Sequence, residues 1–391
     1  MNTTTPKEEI SQRIEKLKIR LAAEELDGAL FNHAIDVYYF TGTRQNAVIW
    51  IPIYGAPVLL VRKSFIRGLR ESIVEDVRPF PSSSDLPDII GKQIRKIGLT
   101  FDMLPLQHFN FFRKTIRDCE FLDISAMNRE IRSVKSAWEL EQMRMSGRLL
   151  ADEFSKIPDF LKPGMRELDL AAEFEYRLRK AGIGGYVRIR GFNQEVTGIA
   201  VSGGNGAVAG CFDAPVTGKG HWTAAPFGPS IDVIGKGVPI IVDYGGYYNG
   251  YITDMTRLYC FGRLDPELKR AFDISLGIQE LIKEDLTPGN ICEDLFHGAA
   301  KMAADAGIGE HFMGHPGELA KFVGHGVGLE LDELPVLAPK FRALLKAGQT
   351  IAVEPKFLFP GKGAVGIENT LAITDKGCEK LTDLPDDIVY L

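Results

Sequence analysis

The sequence lacks the features that mark several protein classes. Its 46 basic and 52 acidic residues give a net charge of −6, so the basic excess of a nucleic-acid binder is missing. Its 5 cysteines include no C-x-x-C pair, which argues against disulfides or a thiolate zinc site. Two prolines and a glycine interrupt the most apolar run, Ala47–Val61, and the N-terminus has no signal-like apolar segment. We therefore expect a cytoplasmic protein that binds neither nucleic acid nor membrane.

Length and composition indicate a globular chain of two domains. Hydrophobic residues make up 45% of the sequence and charged residues 25%, as in folded proteins, and 391 residues exceed one ordinary core. Short apolar runs alternate with helical spacing at the start, which predicts an α/β domain. At Ser136–Glu139, a serine three residues before a glutamate predicts a capped helix. We place the domains at residues 1–132 and 133–391.

The second domain contains an internal repeat. LKPG at 161–164 recurs as LTPG at 286–289, and AGIG at 181–184 recurs at 306–309. Both pairs are 125 residues apart (286 − 161 and 306 − 181). Each copy predicts a Pro-Gly turn, an amphipathic helix and a glycine cap. The domain should therefore consist of two similar halves related by a pseudo-twofold axis.

A predicted hairpin in the first half carries Asp243 and Asp254. If its two-residue loop is Tyr248-Asn249, the two aspartates lie directly opposite each other. If the loop is Asn249-Gly250, the pairing slips by two residues and both aspartates still point to one face. Two directly opposed carboxylates would lie close together, which is destabilising unless a cation lies between them.

A second predicted hairpin, in the other half, carries Glu354 and Glu368. A three-residue loop at 360–362 would place the two glutamates opposite each other. Each half of the repeat then contributes one acidic pair from otherwise apolar strands. An ordinary solvent-exposed position would explain any single acid, but it does not explain this symmetry.

A histidine completes the candidate site. His325 lies between glycines in the segment FVGHGVGLELDELP, where the backbone can approach closely. Four carboxylates and one imidazole suit divalent ions such as manganese, cobalt or zinc. Two such ions would balance the four negative charges, and without metal some carboxyl groups would have to be protonated.

These motifs resemble a known family. The pattern D-x10-D, GHGxG, VEP and IEN is similar to that of the pita-bread metallopeptidases, which include aminopeptidase P, prolidase, methionine aminopeptidase and creatinase. The likeness is closest to the Xaa-Pro aminopeptidase and prolidase branch, and RIEKLKIRLAAEELDGALF resembles the start of its N-terminal domain. The resemblance implies an α/β (α+β) fold, with a small creatinase-like domain before a pita-bread domain of two pseudo-symmetric halves.

The resemblance also implies a role for each candidate ligand. Asp243 would hold one ion alone, and Asp254 and Glu368 would bridge two ions. His325 and Glu354 would complete the shell of the other ion, and Glu354 would also handle the proton of the nucleophile. The implied activity is hydrolysis of Xaa-Pro bonds in small peptides by a metal-bridging hydroxide. The protein would carry two divalent ions per chain and form a homodimer.

The sequence departs from the family pattern at several positions. Asp332 stands where the family usually has a second histidine, and Gly366 stands where arginine is common. Lys321-Phe322 replaces another histidine. An aspartate can accept a hydrogen bond from a substrate amide, so Asp332 is a candidate catalytic residue. His221 is the nearest candidate for a histidine that donates to the reaction intermediate, although it could instead be a loop residue that packs on its neighbour.

Further candidates and alternatives stay open. Arg188 and Arg190 alternate on a predicted strand and could bind a substrate carboxylate, or could lie on a solvated face. The SGGNG segment at 202–206 lacks the strand and helix of a dinucleotide site.

The changes from the family pattern also allow a creatinase-like hydrolase of non-peptide C–N bonds. A pita-bread binding module without catalysis is the third possibility.

Overall fold

The computed structural model describes residues 4–183, 187–191 and 195–391. The chain divides into two compact units, with the described residues up to Arg132 and Gly191 in the first and most of the chain from Ser133 in the second. Domain limits of 1–132 and 133–391 remain our proposal. Within the described ranges, no helix has the length and apolar character needed to cross a membrane.

The first unit is an α/β layer structure. Its helices are α1 (Lys7–Ala23), α2 (Ala34–Thr41), α3 (Phe65–Glu71), α4 (Leu86–Ile90), α5 (Leu106–Thr115) and α6 (Ser125–Ser133). Its strands are β1 (Gly28–Phe31), β2 (Ala47–Pro52), β3 (Val58–Val61), β4 (Asp76–Pro79), β5 (Lys96–Leu99) and β6 (Glu120–Asp123). In the described chain these strands form one sheet in the order β4-β3-β2-β1-β5-β6, antiparallel at β1-β2-β3 and parallel elsewhere.

The helices of the second unit are α7 (Ala137–Phe154), α8 (Ile157–Phe160), α9 (Glu167–Lys180), α10 (Pro266–Asp285) and α11 (Cys292–Asp305). The predicted capping box starts α7: the Ser136 hydroxyl accepts from the Glu139 amide at 3.1 Å, and the Glu139 carboxylate accepts from the Ser136 amide at 3.0 Å. One hydrophobic cluster joins α7, α8 and α9 to strands of the first half, and another surrounds α10 and α11.

The first strands of this unit are β7 (Ile199–Ser202), β8 (Ile240–Tyr248), β9 (Tyr251–Cys260), β10 (Gly314–His315), β11 (Glu318–Leu319), β12 (Gly324–Gly326) and β13 (Glu333–Leu337). The others are β14 (Thr350–Val353), β15 (Lys356–Phe359), β16 (Gly363–Gly366), β17 (Glu368–Thr374), β18 (Gly377–Lys380) and β19 (Val389–Tyr390). In the described residues the large sheet has the path β13-β12-β14-β17-β9-β8-β7, with β18 and β19 attached to β17 and β9. The pairs β10-β11 and β15-β16 are separate ribbons.

The predicted duplication is present. Helices α9 and α11 begin and end 125 residues apart (292 − 167 and 305 − 180), and the Pro-Gly turns before them place Gly164 and Gly289 at φ of 85° and 96°. In the sheet, β7-β8-β9 mirrors β12-β14-β17, and β9 and β17 are neighbours at the centre. The last glycine of the first AGIG copy, Gly184, lies outside the described residues. The symmetric strand order confirms two similar halves.

The first acidic hairpin uses the Asn249-Gly250 loop. Both loop residues have positive φ, 47° and 93°, as two-residue hairpin turns of type I′ require. Asp243 therefore faces Thr256, and Asp254 faces Gly245. The prediction that the two aspartates lie directly opposite each other is therefore wrong, and the alternative register, with both aspartates on one face, is correct.

The second acidic hairpin has the predicted register. Phe359 faces Gly363 across the three-residue loop 360–362, and one continuous register relates β15 to β16 and β14 to β17. Glu354 follows β14 and Glu368 opens β17, so the two glutamates occupy facing positions.

Candidate metal centre

Acidic side chains from both halves of the second unit meet one histidine near the centre of its large sheet. Asp254, His325 and Glu368 each have a ligand atom within 4.8 Å of the other two, and all three are buried. Glu354 lies beside them, with an Oε1 atom 3.6 Å from Nε2 of His325. Asp243 belongs to the same group, because it shares a cationic partner with Glu354 and Glu368. The five candidate ligands therefore lie together.

The hydrogen bonds of His325 fix the orientation of its ring. Its Nδ1 atom lies 3.0 Å from the Leu331 carbonyl oxygen and 3.1 Å from that of Gly326. Carbonyl oxygens only accept, so Nδ1 carries a proton, and the neutral ring keeps its lone pair on Nε2, towards Glu354. Histidines that bind metals commonly have this arrangement, with one nitrogen anchored to the protein and the other free to coordinate.

A lysine that the sequence analysis missed lies among the carboxylates. The Nζ atom of Lys356 donates to Asp243 Oδ2 at 2.8 Å, to Glu354 Oε2 at 2.7 Å and to Glu368 Oε2 at 3.0 Å. Its side chain is only 2% exposed. Lys356 lies two residues after Glu354 and faces Gly366 across the ribbon. That spacing, which favours one face of a strand, is the signal that could have identified it.

Burial and mutual repulsion shift the titration of the acids. Burial, together with the charges of Glu368 and Asp243, raises the pKa of Asp254 well above its usual value. Burial also raises the pKa of Glu368 to about 8, although Lys356 partly offsets the repulsion from Glu354 and Asp243. Carboxyl groups this crowded need protons or further positive charge to coexist at neutral pH.

The charges around the two cationic side chains act in the opposite direction to burial. Burial disfavours the charged form of His325, but the carboxylates of Asp332, Glu354 and Asp254 outweigh it and raise the pKa of the imidazole. Burial likewise opposes the charge on Lys356, but Asp243, Glu354 and Glu368 raise its pKa well above the usual value. The acidic cluster therefore strongly favours positive charge within it.

Hydroxyl and guanidinium groups hold the central ligands in place. Thr256 donates its hydroxyl to Oε2 of Glu368 at 2.8 Å, and Arg257 donates to the carbonyl oxygen of the same glutamate at 3.0 Å. The Thr370 hydroxyl accepts from the Asp254 amide at 2.7 Å and donates to the Asp254 carbonyl at 2.9 Å. These contacts fix the β9–β17 junction from which both acids project.

The two further catalytic candidates have different surroundings. Asp332 lies beside the cluster, with Oδ1 3.4 Å from Nδ1 of His325 and 47% of its side chain exposed. His221 is exposed and packs edge-on against Trp222, with 4.4 Å between ring centroids. Within the described residues, no hydrogen bond or ion pair joins His221 to the acidic cluster. A catalytic role for either residue stays a prediction.

Arg188 and Arg190 both contact the segment that follows His325. Arg188 donates to the carbonyl oxygens of Leu329 at 2.6 Å and Gly250 at 2.7 Å. Arg190 pairs with Glu330 at 3.3 Å, and both of those side chains are buried. These contacts brace the segment, and substrate binding by the two arginines stays a prediction.

The donor set at Asp254, His325 and Glu368 fits one divalent ion. It combines two buried carboxylates with an oriented imidazole, a set that suits manganese, cobalt or zinc. The raised carboxyl pKa values indicate a shortage of positive charge at this point. Asp243 and Glu354, by contrast, already bind the Lys356 ammonium through one carboxylate oxygen each, so a second ion at these two residues would compete with the lysine.

Known proteins share both the sequence and the fold. The Xaa-Pro dipeptidase of Pyrococcus furiosus is 26% identical over 376 residues, which cover 95% of this chain and 98% of that protein. The solved structure of an Xaa-Pro dipeptidase from Bacillus anthracis is 25% identical in sequence, with a TM-score of 0.82. The match covers 98% of this chain and 100% of that protein. The solved structure of the X-Pro aminopeptidase from Thermotoga maritima is 25% identical in sequence, with a TM-score of 0.80. The match covers 97% of this chain and 99% of that protein. These similarities confirm the predicted creatinase-like and pita-bread domains.

The pattern of the Creatinase/Prolidase N-terminal domain matches residues 13–134. The pattern of metallopeptidase family M24 matches residues 141–375, which is more than half of the chain and includes every residue of the acidic cluster. The chain therefore belongs to metallopeptidase family M24 and is a metal-dependent hydrolase.

Proposed function

We propose that this hydrolase cleaves small peptides at Xaa-Pro bonds, as a dipeptidase or an aminopeptidase. The observation that carries the proposal is the buried cluster of Asp254, His325 and Glu368, oriented for metal binding. Its support is the full-length similarity to an Xaa-Pro dipeptidase and to an X-Pro aminopeptidase. Peptide hydrolysis suits such a site because the reaction needs an activated water and a polarised carbonyl group.

The side chains of the cluster have distinct proposed tasks. Asp254, His325 and Glu368 hold a divalent ion, manganese, cobalt or zinc. Such an ion, when bound, supplies Lewis-acid polarisation of the scissile carbonyl and lowers the pKa of water. Glu354, whose Oε1 faces Nε2 of His325, accepts the proton of the nucleophile. Asp332, half exposed beside the cluster, accepts a hydrogen bond from a substrate amide.

The number of ions is a separate question. The charge of four carboxylates predicts two ions, and the family resemblance implies that a hydroxide bridges them. That count omitted Lys356, which brings one positive charge into the same cluster. The peptidase proposal requires only the ion at Asp254, His325 and Glu368.

A panel of substrates tests the proposal. The purified protein is supplied with manganese or cobalt and given Xaa-Pro dipeptides, longer Xaa-Pro peptides, matched Xaa-Ala peptides, and guanidino and amide compounds. We expect release of the N-terminal residue from Xaa-Pro substrates only, with loss of activity in a chelator. Absence of peptide turnover in protein with verified bound metal would exclude the proposal.

The same panel examines the second candidate function, hydrolysis of a non-peptide C–N bond. The observation that favours it is at Gly366, where the family commonly has arginine. The space beside Gly366 is filled by the Lys356 side chain, so this part of the cluster differs from the family pattern. Turnover of guanidino or amide compounds without peptide cleavage would establish this alternative.

We also propose a cytoplasmic location and a homodimeric state. All the cysteines are free, which fits a reducing compartment, and the dimer is implied by the family resemblance. Light scattering of the purified protein tests the oligomeric state.

A further inference from the structure

We propose that the Lys356 ammonium replaces one of the two metal ions that the four carboxylates would otherwise require. This chain then binds a single divalent ion, at Asp254, His325 and Glu368. The inference rests on the proposed metal-dependent function. It is tested by counting ions, which does not depend on turnover.

The hydrogen bonds of Lys356 are complete. An ammonium group has three N–H donors and no acceptor, and the three donors of Nζ go to Asp243, Glu354 and Glu368 at 2.7–3.0 Å. No donor is left over for a substrate. A buried ammonium is stable only when it is paired in this way. Lys356 therefore acts as a fixed positive charge and not as a proton carrier.

The three carboxylates come from distant parts of the second unit. Asp243 lies on β8, Glu354 follows β14, and Glu368 opens β17. A cation that joins all three ties the two halves of the repeat together, as a bridging metal ion would. The lysine supplies the charge and the link, but it has no open coordination position to polarise a carbonyl group or activate water.

A second ion would compete with Lys356 for the same atoms. An ion between Asp243 and Glu354 would meet Oδ2 of Asp243 and Oε2 of Glu354, which already accept from Nζ. Metal–carboxylate distances are about 2.0–2.2 Å, so an ion on these oxygens would lie within a few ångströms of the ammonium. Two positive charges at that separation repel strongly in a buried site. The ion could bind only if the lysine left.

The opposite strand is shaped for the lysine. Lys356 faces Gly366, and a Cβ atom at position 366 would lie 2.6 Å from Cγ of Lys356 and 2.6 Å from the Pro355 carbonyl oxygen. The lysine side chain therefore occupies space that any larger residue at 366 would claim. The glycine and the lysine form one feature of the site.

Ion counting in the wild-type protein tests the proposal directly. The full chain is saturated with Mn²⁺, desalted and measured by elemental analysis, and metal-free protein is titrated with Mn²⁺ in a calorimeter. We expect one ion per chain and one tight site. Two ions per chain, or none, would overturn the proposal.

Two variants locate the ion. Asp243→Asn removes a partner of Lys356 that lies outside the proposed ion site, so this variant should keep one ion. Lys356→Met removes the charge at similar volume and should raise the count to two. Lys362→Met is the matched control: Lys362 lies in the loop of the same hairpin, exposed and paired with Glu267 at 2.5 Å, so this variant should keep one ion. Loss of the ion in Asp243→Asn, or a count of one in folded Lys356→Met, contradicts the proposal. If Lys356→Met does not fold, the wild-type and Asp243→Asn counts decide.

Parallel assays separate this inference from the proposed function. One ion per chain without Xaa-Pro cleavage supports the lysine's role and refutes the peptidase. Two ions per chain with chelator-sensitive cleavage supports the peptidase and refutes the lysine's role.

Discussion

Lys356 and Gly366 face each other across the β15–β16 ribbon, and a Cβ atom at position 366 would lie 2.6 Å from Cγ of the lysine. Because glycine has no side chain, it leaves room for Lys356, and the ammonium of this lysine pairs with the buried acidic cluster. Changing one partner should therefore disturb the other.

Gly366→Ala should destabilise the protein. The added methyl group forces the Lys356 side chain or the ribbon to move, and overpacking of this kind costs about 1–3 kcal/mol of unfolding free energy. Urea denaturation in a chelator measures the change. Gly204→Ala is the control, because a Cβ atom there meets only one atom, at 3.9 Å, and the change should stay within about 0.5 kcal/mol. Equal effects of the two substitutions would argue against the close packing.

The metal-free protein should lose stability as the pH rises from about 5 to about 8. Burial raises the pKa of Glu368 from its ordinary 4.5 to about 8 in the folded protein, so the folded state binds the proton more tightly than the unfolded state. The resulting stabilisation is complete below the lower value and is lost as the pH rises through this window. The raised pKa values of Asp254 and His325 act in the same direction. Denaturation series from pH 5 to 9 measure the slope.

Metal should weaken this pH dependence, because a bound cation replaces the protons. The same denaturation series with saturating Mn²⁺ should therefore have a shallower slope. Glu368→Gln in the chelator should reduce the slope as well, since the amide does not titrate. A slope that neither change alters would place the responsible groups elsewhere.

His325→Ala should strongly weaken metal binding at the proposed site. The substitution removes the nitrogen ligand itself. Loss of a group that only orients a ligand typically costs about 10–100-fold in metal affinity, so loss of the ligand should cost about tenfold more than that. Competition with a fluorescent chelator gives the dissociation constant. His297→Ala, at an exposed position on α11, should bind metal like the wild type. Retention of the ion in His325→Ala would remove the histidine from the ligand set.

Thr256→Val should weaken metal binding without unfolding the protein. The threonine hydroxyl donates to Oε2 of Glu368 at 2.8 Å, and losing such an orienting contact typically costs about 10–100-fold in metal affinity. Valine keeps the shape of the side chain. Calorimetric titration with Mn²⁺ measures the effect, and Thr374→Val, at an exposed position on β17, provides the comparison. Unchanged affinity in Thr256→Val would show that the hydroxyl does not orient the ligand.

Local patterns predicted much of the site. The two aspartates share a face in either hairpin register, so their proximity did not depend on the exact turn. The turn itself could have been chosen, because Asn249-Gly250 is the dipeptide that tolerates two positive φ angles. The facing positions of Glu354 and Glu368 followed from the length of the loop alone.

The spacing of Lys356 from Glu354 could have placed it on the same face of the ribbon, but its burial among the carboxylates could not be predicted in the same way. A lysine near an acid on a β-ribbon is normally exposed, and one of the three carboxylates that pair with it here, Asp243, lies more than 100 residues away along the chain. The partners of Arg188 and Arg190 are similarly remote, at Leu329 and Glu330. Local patterns do not reveal such long-range pairs.

The two halves of the duplicated domain do not contribute equally. His325 lies on β12, and the residue 125 positions earlier (325 − 200), Ala200, lies on β7, the strand that mirrors β12 in the sheet. The imidazole and the Lys356 ammonium thus both come from the second copy, whereas the first supplies only aspartates. A chimera that exchanges the second copy with that of a relative should therefore inherit the relative's ion preference, while exchange of the first copy should leave the preference unaltered.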